Sequence, residues 1–265
     1  APYFPKFSYI CSRLESTGNF WQIRWGMKTG LVVLVLAASL LTAYGRATDK
    51  GEGNGMQIAA TTDTAAVPIQ QTINLSNGFR LELGHETVYA SLKLYGFARL
   101  RHNGQQVYAD SSNEYEPQSS LYPLVVPAGD NDAEVLIEVN DRPNKNYLLQ
   151  LFVSNGRLTK VEKLPTFIAP AADLNGDGTL EYAGFWAFNE TWGEEKEYTD
   201  YNPIIYYSIT PKGLKVNSDL TRKQNDAIFG FFHGFEYSQQ IDIPASALKK
   251  QAEEIERIRS AAGSR

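Results

Sequence analysis

The chain has 265 residues, 43% of them hydrophobic and 21% charged, with a formal net charge of −5. It is too apolar for a disordered polymer and long enough to bury a sizeable core, and its acidic balance speaks against a nucleic-acid surface, whose phosphate contacts need a basic patch. The 15 Tyr, 13 Phe and 4 Trp, together with many β-branched residues, favour strands, because such side chains pack well on a pleated, half-buried surface.

Residues 1–26 carry no readable role. Their simplest account is a start placed upstream of the true initiator, Met27. From there the pattern is that of a secretion signal: the basic Met27-Lys28-Thr29, then the apolar run from Leu31 to Leu41, too short to cross roughly 30 Å of hydrocarbon comfortably. Gly45-Arg46-Ala47 places small residues at the minus-three and minus-one positions of a cleavage site, so 27–47 reads as a signal peptide. The expectation is a periplasmic or secreted protein with no stable membrane span after cleavage. The single cysteine, Cys11, lies upstream of that site, so the mature chain has neither a disulfide nor a thiol. Removing residues 1–47 leaves 20 Lys/Arg against 29 Asp/Glu, a balance of −9.

Residues 48–72 are rich in Gly, Thr, Ala and Gln without a sustained period and read as a linker. From Ile73 short alternating runs separated by turn residues begin, the signature of an antiparallel sandwich or barrel-like sheet. Ile73 and Leu75, then Asn77-Gly78, then Phe79, Leu81 and Leu83 suggest a hairpin. His102-Asn103-Gly104 and Asn155-Gly156 mark two more, since Asn-Gly supplies the positive φ of tight hairpins. Segment 114–132, with Pro117, Pro123, Pro127 and the Gly129-Asp130-Asn131-Asp132 cluster, reads as a long surface loop around a short extended piece. Further strands are expected over 180–188, 204–210, 214–216 and 228–237. After Pro244, Leu248, Ala252, Ile255 and Ala262 fall at helical spacing with Glu253 and Arg257 four apart, which predicts one carboxy-terminal helix over 244–265. The organisation is therefore a mainly β domain, 73–243, followed by that helix.

The clearest chemical feature is Asp173-Leu174-Asn175-Gly176-Asp177-Gly178-Thr179-Leu180-Glu181. Ca²⁺ is a hard cation that takes six to eight oxygens. Asp173, Asn175 and Asp177 offer side-chain oxygens at alternate positions, and Gly176 and Gly178 allow the backbone curl that would aim them at one point. The carbonyl of Thr179 and the carboxylate of Glu181 would close the shell. An EF-hand opens the same way, but its twelfth position should be a bidentate Glu and here it is Gly184. Pro165 and Pro170 also spoil a preceding helix.

These residues resemble the short calcium loops of FG-GAP and integrin-propeller repeats, and the loop is similar to the single calcium loop of small periplasmic lysozyme-inhibitor-like β-proteins. The likeness covers 166–188 and has Glu181 where the motif often ends in Asp. It occurs once, which favours the single-loop proteins over a propeller. The resemblance implies a structural Ca²⁺ joining two strands and, as partner, a basic protein such as a lysozyme-like hydrolase.

No catalytic motif stands out, so no enzyme is expected. Glu190, Glu194, Glu195, Glu197 and Asp200 crowd one segment, yet a glycosidase needs two carboxylates across a cleft, and a sequence run reads first as a solvated acidic loop. His85, His102 and His233 sit at no metal-ligand spacing, and His233 falls in an aromatic run that reads as a core strand. Trp186, Trp192, Tyr206 and Tyr207 are candidate platforms for a polysaccharide, which keeps a carbohydrate-binding surface module as the alternative to inhibition and a glycoside hydrolase behind it.

Overall fold

The computed structural model describes residues 67–89, 92–117 and 121–263. The upstream stretch 1–26, the signal segment 27–47 and most of the 48–72 segment lie outside the described residues. What is described is mainly β: one large antiparallel sheet, one small sheet and two helices near the carboxy terminus, with no closed barrel.

Strands β1 (Ile69–Asn74), β2 (Phe79–Tyr89), β3 (Leu92–His102) and β4 (Gln105–Asp110) form successive antiparallel pairs. β1 begins earlier than Ile73 because Gln70 and Gln71 occupy a half-exposed edge strand, where polar residues blur the alternation. Asn103-Gly104 joins β3 to β4 with φ of 49° and 85°, the left-handed pair that lets a two-residue turn follow the sheet twist. Segment 114–132 is more than a surface loop. It contributes β5 (Glu114–Tyr115) and β6 (Leu124–Pro127), both paired to β7 (Asp132–Asn140), and it buries Tyr115 and Tyr122.

β8 (Tyr147–Ser154) and β9 (Arg157–Phe167) continue the sheet through the Asn155-Gly156 turn, followed by β10 (Glu181–Phe185), β13 (Ile205–Thr210) and β14 (Gly213–Val216). The central strands are buried on both faces. Val135, Ile137 and Val139 of β7 join Leu149, Leu151 and Leu81 in one core, whereas Leu136 and Leu148 point the other way, into a second core with Phe167, Tyr182 and Tyr207. Strict alternation of Cβ direction produces this division, and burial on two sides explains why β7 and β8 read as nearly continuous apolar runs. Within them Glu134, Glu138 and Gln150 are the exceptions: Gln150 donates to Glu134 at 2.7 Å, and Glu138 accepts from Asn146 at 3.2 Å.

The small sheet comprises β11 (Thr191–Trp192), β12 (Tyr198–Tyr201) and β15 (Ser238–Pro244). A strand over 228–237 is not formed. Its start belongs to helix α1 (Ser218–Phe229), capped by the Asn217 side chain on the Leu220 amide at 3.1 Å and closed by Gly230 at φ 81°. Gly230 and Gly234 break the aromatic run, so Phe231 is 65% exposed and His233 is exposed rather than in a core strand. Helix α2 (Ala247–Gly263) is the expected terminal helix, but it buries Ala247, Gln251 and Ile258 and leaves Ala252 outward. Two helices therefore stand where one is expected.

Both helices cover β13. Asn225 of α1 accepts from the Ile204 amide at 3.0 Å and donates to the Ile204 carbonyl at 2.8 Å, and Thr221 Oγ1 accepts from the Tyr206 amide. The helix side chains thus stand in for a neighbouring strand beyond the point where β14 ends. Around them Leu220, Ile228 and Ile258 pack on Ala183, Ile204, Tyr206 and Leu174, forming a third core.

Candidate functional site

The Asp173–Glu181 loop connects the end of β9 to the start of β10. A pair of backbone bonds between Ala172 and Glu181, at 3.1 and 2.8 Å, closes its neck. Within the neck the chain curls around Asp173, whose Oδ1 accepts from the Gly176 and Asp177 amides at 2.7 and 3.1 Å and whose Oδ2 accepts from Gly178 at 2.9 Å. Asn175 Oδ1 accepts from the Asp177 amide, and Asp177 Oδ1 from the Thr179 amide, at 2.9 and 2.7 Å. Gly176 and Gly178 sit at φ of 80° and 86° with open space where a Cβ would be. Carboxylate oxygens that accept amides at successive positions are what hold so tight a curl together.

The structure brings Asp173, Asn175 and Asp177 together at the exposed lip of the loop, while Glu181 lies beneath it. Glu181 is 0% exposed; its Oε2 accepts from the Leu174 amide at 3.1 Å and its Oε1 from Ser208 at 3.3 Å. Burial pushes its carboxyl above the ordinary range, and the nearby Asp177 and Asp173 charges add to that. Asp177 moves the opposite way, held low by the Thr179 amide and then by Asn175. Among the described residues Glu181 has no Lys, Arg or His partner. Thr179 supports Asp177 through its amide, and its side chain also helps to hold that carboxyl low, so the group it has left to offer a cation is its carbonyl.

As folded, no group of three or more His, Cys, Asp or Glu among the described residues is gathered closely enough to hold a metal. The loop oxygens are turned to backbone amides, and Asn175 Nδ2 donates to Asp177 Oδ2 at 2.8 Å. The donor chemistry nonetheless suits a hard cation: three carboxylates and one amide oxygen on a backbone already curled, each carboxylate with lone pairs beyond those its amides take.

Two partners of the loop are not visible in the motif. Leu174, between two candidate ligands, is buried in the third core, and its carbonyl accepts from Arg257 Nη1 of α2 at 3.1 Å. Arg257 is fixed in turn by Glu254 at 2.7 Å, and Glu254 also accepts from Tyr206. The expected Glu253–Arg257 pair is not formed; Glu253 faces Lys249 instead, because Glu254 is the one on the sheet side of the helix. The apolar anchor at the second loop position was the signal available for this.

The other candidates separate. Tyr206 and Tyr207 are buried in the sheet and cannot be platforms, whereas Trp186 and Trp192 are half-exposed. Glu190, Glu194, Glu195 and Glu197 are exposed, but Asp200 is buried, accepting from the Glu190 amide at 3.2 Å and lying 4.0 Å from Lys145 Nζ. His102 stacks on Phe79 with ring centroids 4.4 Å apart, away from any acidic cluster. No family model matches the chain, and no curated protein or solved structure matches it at a significant level.

Proposed function

We propose that this chain is an exported, calcium-stabilised β-domain that acts by non-covalent binding. The observation that carries the calcium reading is Glu181, a fully buried carboxylate beneath a loop lip bearing Asp173, Asn175 and Asp177, with no cationic side chain to offset it among the described residues. A buried charge is costly unless paired with an opposite charge or a metal. Ca²⁺ supplies charge neutralisation here; Asp173, Asn175, Asp177, the Thr179 carbonyl and Glu181 hold it. Leu174 and Arg257 tie the loop to the third core and to α2, so ordering the loop would also brace the helix on the sheet. The role is structural.

The test is thermal unfolding with calcium and then with chelator. A clear rise in midpoint with calcium, absent in Asp177→Ala, is expected; an unchanged midpoint together with no protein-bound metal would overturn the reading.

The partner in the sharpest form of the proposal is a basic peptidoglycan-cleaving enzyme, for which the −9 balance of residues 48–265 supplies the complementary charge. Clearing of bacterial cell walls by a basic lysozyme should slow when the calcium-loaded protein is added at low salt. Clearing at the full rate in excess protein would remove this partner while leaving the metal site standing.

A further inference from the structure

A second site lies away from the loop, where three distant segments converge. The turn between β7 and β8 brings Asp141, Asn144 and Lys145; the stretch after β10 brings Trp186, Phe188 and Glu190; the approach to β15 brings Glu236 and Tyr237, and the start of β15 brings Gln239. Together they enclose a cleft of about 460 Å³, within the range of roughly 300–1,000 Å³ common for small-molecule sites.

Its floor is unusual. The Lys145 side chain is only 11% exposed, with its ammonium 3.8 Å from the centroid of Phe188 and 4.8 Å from that of Tyr237, donating to the Phe188 carbonyl. Asp200 lies behind it at 4.0 Å. Beside it Tyr237 Oη is buried and makes no hydrogen bond of good geometry; burial first, and then the neighbouring Asp200 carboxylate, push its phenol above the ordinary range, while the Gln239 side chain pulls the other way. Asn202, which binds the carbonyls of Trp186 and Phe188 and so holds that wall, also leaves its Oδ1 unpaired. Of the three buried side-chain oxygens without a partner among the described residues, two belong to this cleft and its wall. Buried polar groups are normally satisfied; of these two only Tyr237 lines the cleft, Asn202 being fully buried behind it, so Tyr237 Oη is the floor group with capacity for a hydrogen bond from elsewhere.

The lining selects the ligand class. Lys145 already covers one face of Phe188 and of Tyr237, so a ligand cation entering beside them would meet its charge. What remains exposed is Phe188, and Trp186, braced against the first core, beside interleaved acceptors (Asp141, Glu190, Glu236) and donors (Lys145, Asn144, Gln239). A rigid aromatic face combined with both hydrogen-bonding polarities matches a pyranose ring, whose hydroxyls donate and accept while its C–H face is apolar. Three carboxylates around the mouth disfavour an anionic sugar. We infer that the cleft formed by Lys145, Trp186, Phe188 and Tyr237 binds a neutral hexopyranose unit. This rests on the reading of the domain as a non-covalent binding protein, but on none of the loop residues.

The experiment is calorimetric titration of the full chain with cellotetraose and with the N-acetylglucosamine tetramer, using a galacturonate tetramer and choline as controls, each in calcium and in chelator. One neutral tetramer should bind with Trp fluorescence changing in step, and galacturonate should give no heat. Tyr237→Phe keeps the ring but removes the spare hydroxyl, and Glu236→Gln alters an exposed rim residue. Loss of one hydrogen bond predicts about tenfold weaker binding in Tyr237→Phe. Pull-down on cellulose and chitin distinguishes free oligosaccharide from polymer as the source of the ring. No heat with either neutral tetramer, tighter binding of choline, or affinity untouched by both substitutions would overturn the inference. Calcium heat without sugar heat would sink this site alone, and sugar heat without calcium heat would sink the loop alone.

Discussion

Replacing Glu181 by Gln separates the two states of the loop, because the effect on stability should change sign with calcium. Gln is nearly isosteric and can keep both partners, accepting from the Leu174 amide and donating to Ser208. Burial holds the Glu181 carboxyl above the value of about 4.5 expected for an unfolded glutamate. Between those two values the folded chain keeps a proton that the unfolded chain has released. Stability therefore falls as pH rises through that interval, and the deficit persists above it. In chelator at neutral pH the Gln variant escapes this penalty, so it should melt no lower than wild type and lose less stability on going from acid to neutral pH. With calcium the order reverses. At about 10 mM calcium, a hundredfold above a Kd on the order of 10⁻⁴ M, a bound ion stabilises wild type by about 2.7 kcal/mol. For a domain of this size that is roughly 5–11 °C in Tm. The Gln variant, which offers a neutral oxygen, should gain markedly less. Scanning calorimetry at pH 5 and pH 7 with calcium or chelator reads all of these. Equal calcium shifts in both proteins, or a Gln variant clearly less stable than wild type in chelator at neutral pH, would refute the reasoning.

Other perturbations test the frame that holds the loop. Arg257→Ala removes the bond to the Leu174 carbonyl and the pair with Glu254; urea unfolding should show a loss of about 1.5–3 kcal/mol, typical of a charged hydrogen bond, and calcium affinity should fall as well. Asn225→Ala orphans the buried amide and carbonyl of Ile204, at about 1–3 kcal/mol for each group left unsatisfied, so its urea midpoint should drop while the calcium increment survives. Gly213→Ala places a methyl 1.9 Å from Glu134 Oε1 at a residue with φ of 92°, where left-handed backbone alone costs about 1–3 kcal/mol; a wild-type midpoint would show that β14 is free to move away from Glu134.

The Asn-Gly hairpins were legible because local backbone chemistry alone sets them, and the antiparallel β character was legible from the alternation of Phe79, Leu81 and Leu83 along β2, whereas the joining of twelve strands into one sheet depends on pairings between distant segments. Helix α1 was not legible because its buried face includes Thr221 and Asn225 as well as Leu220 and Ile228. Those polar residues serve the open edge of β13, a need that exists only once the sheet is assembled, and they interrupt the apolar stripe by which a helix is read. The neighbouring aromatic run misled for a related reason. Phe229 and Phe232 pack while Phe231 and Phe235 are exposed, a pattern set by Gly230 and Gly234 rather than by a two-residue period. At the loop, Asp173, Asn175, Asp177 and Glu181 could be picked out from spacing, but Arg257 reaches Leu174 across 83 positions. The cleft was less legible still. Trp186 and Glu190 stood out as single residues, yet nothing in the order of the chain links them to Lys145 and Tyr237.

The most direct measurement is equilibrium dialysis of the purified full chain against calcium, with the bound metal counted per protein. The account predicts one calcium per chain, released by chelator and lost in Asp177→Ala while the β-sheet circular dichroism is retained. A folded chain that retains no calcium at millimolar concentration, or one that binds it equally well in Asp177→Ala, would contradict the assignment of the Asp173–Glu181 loop as a metal site.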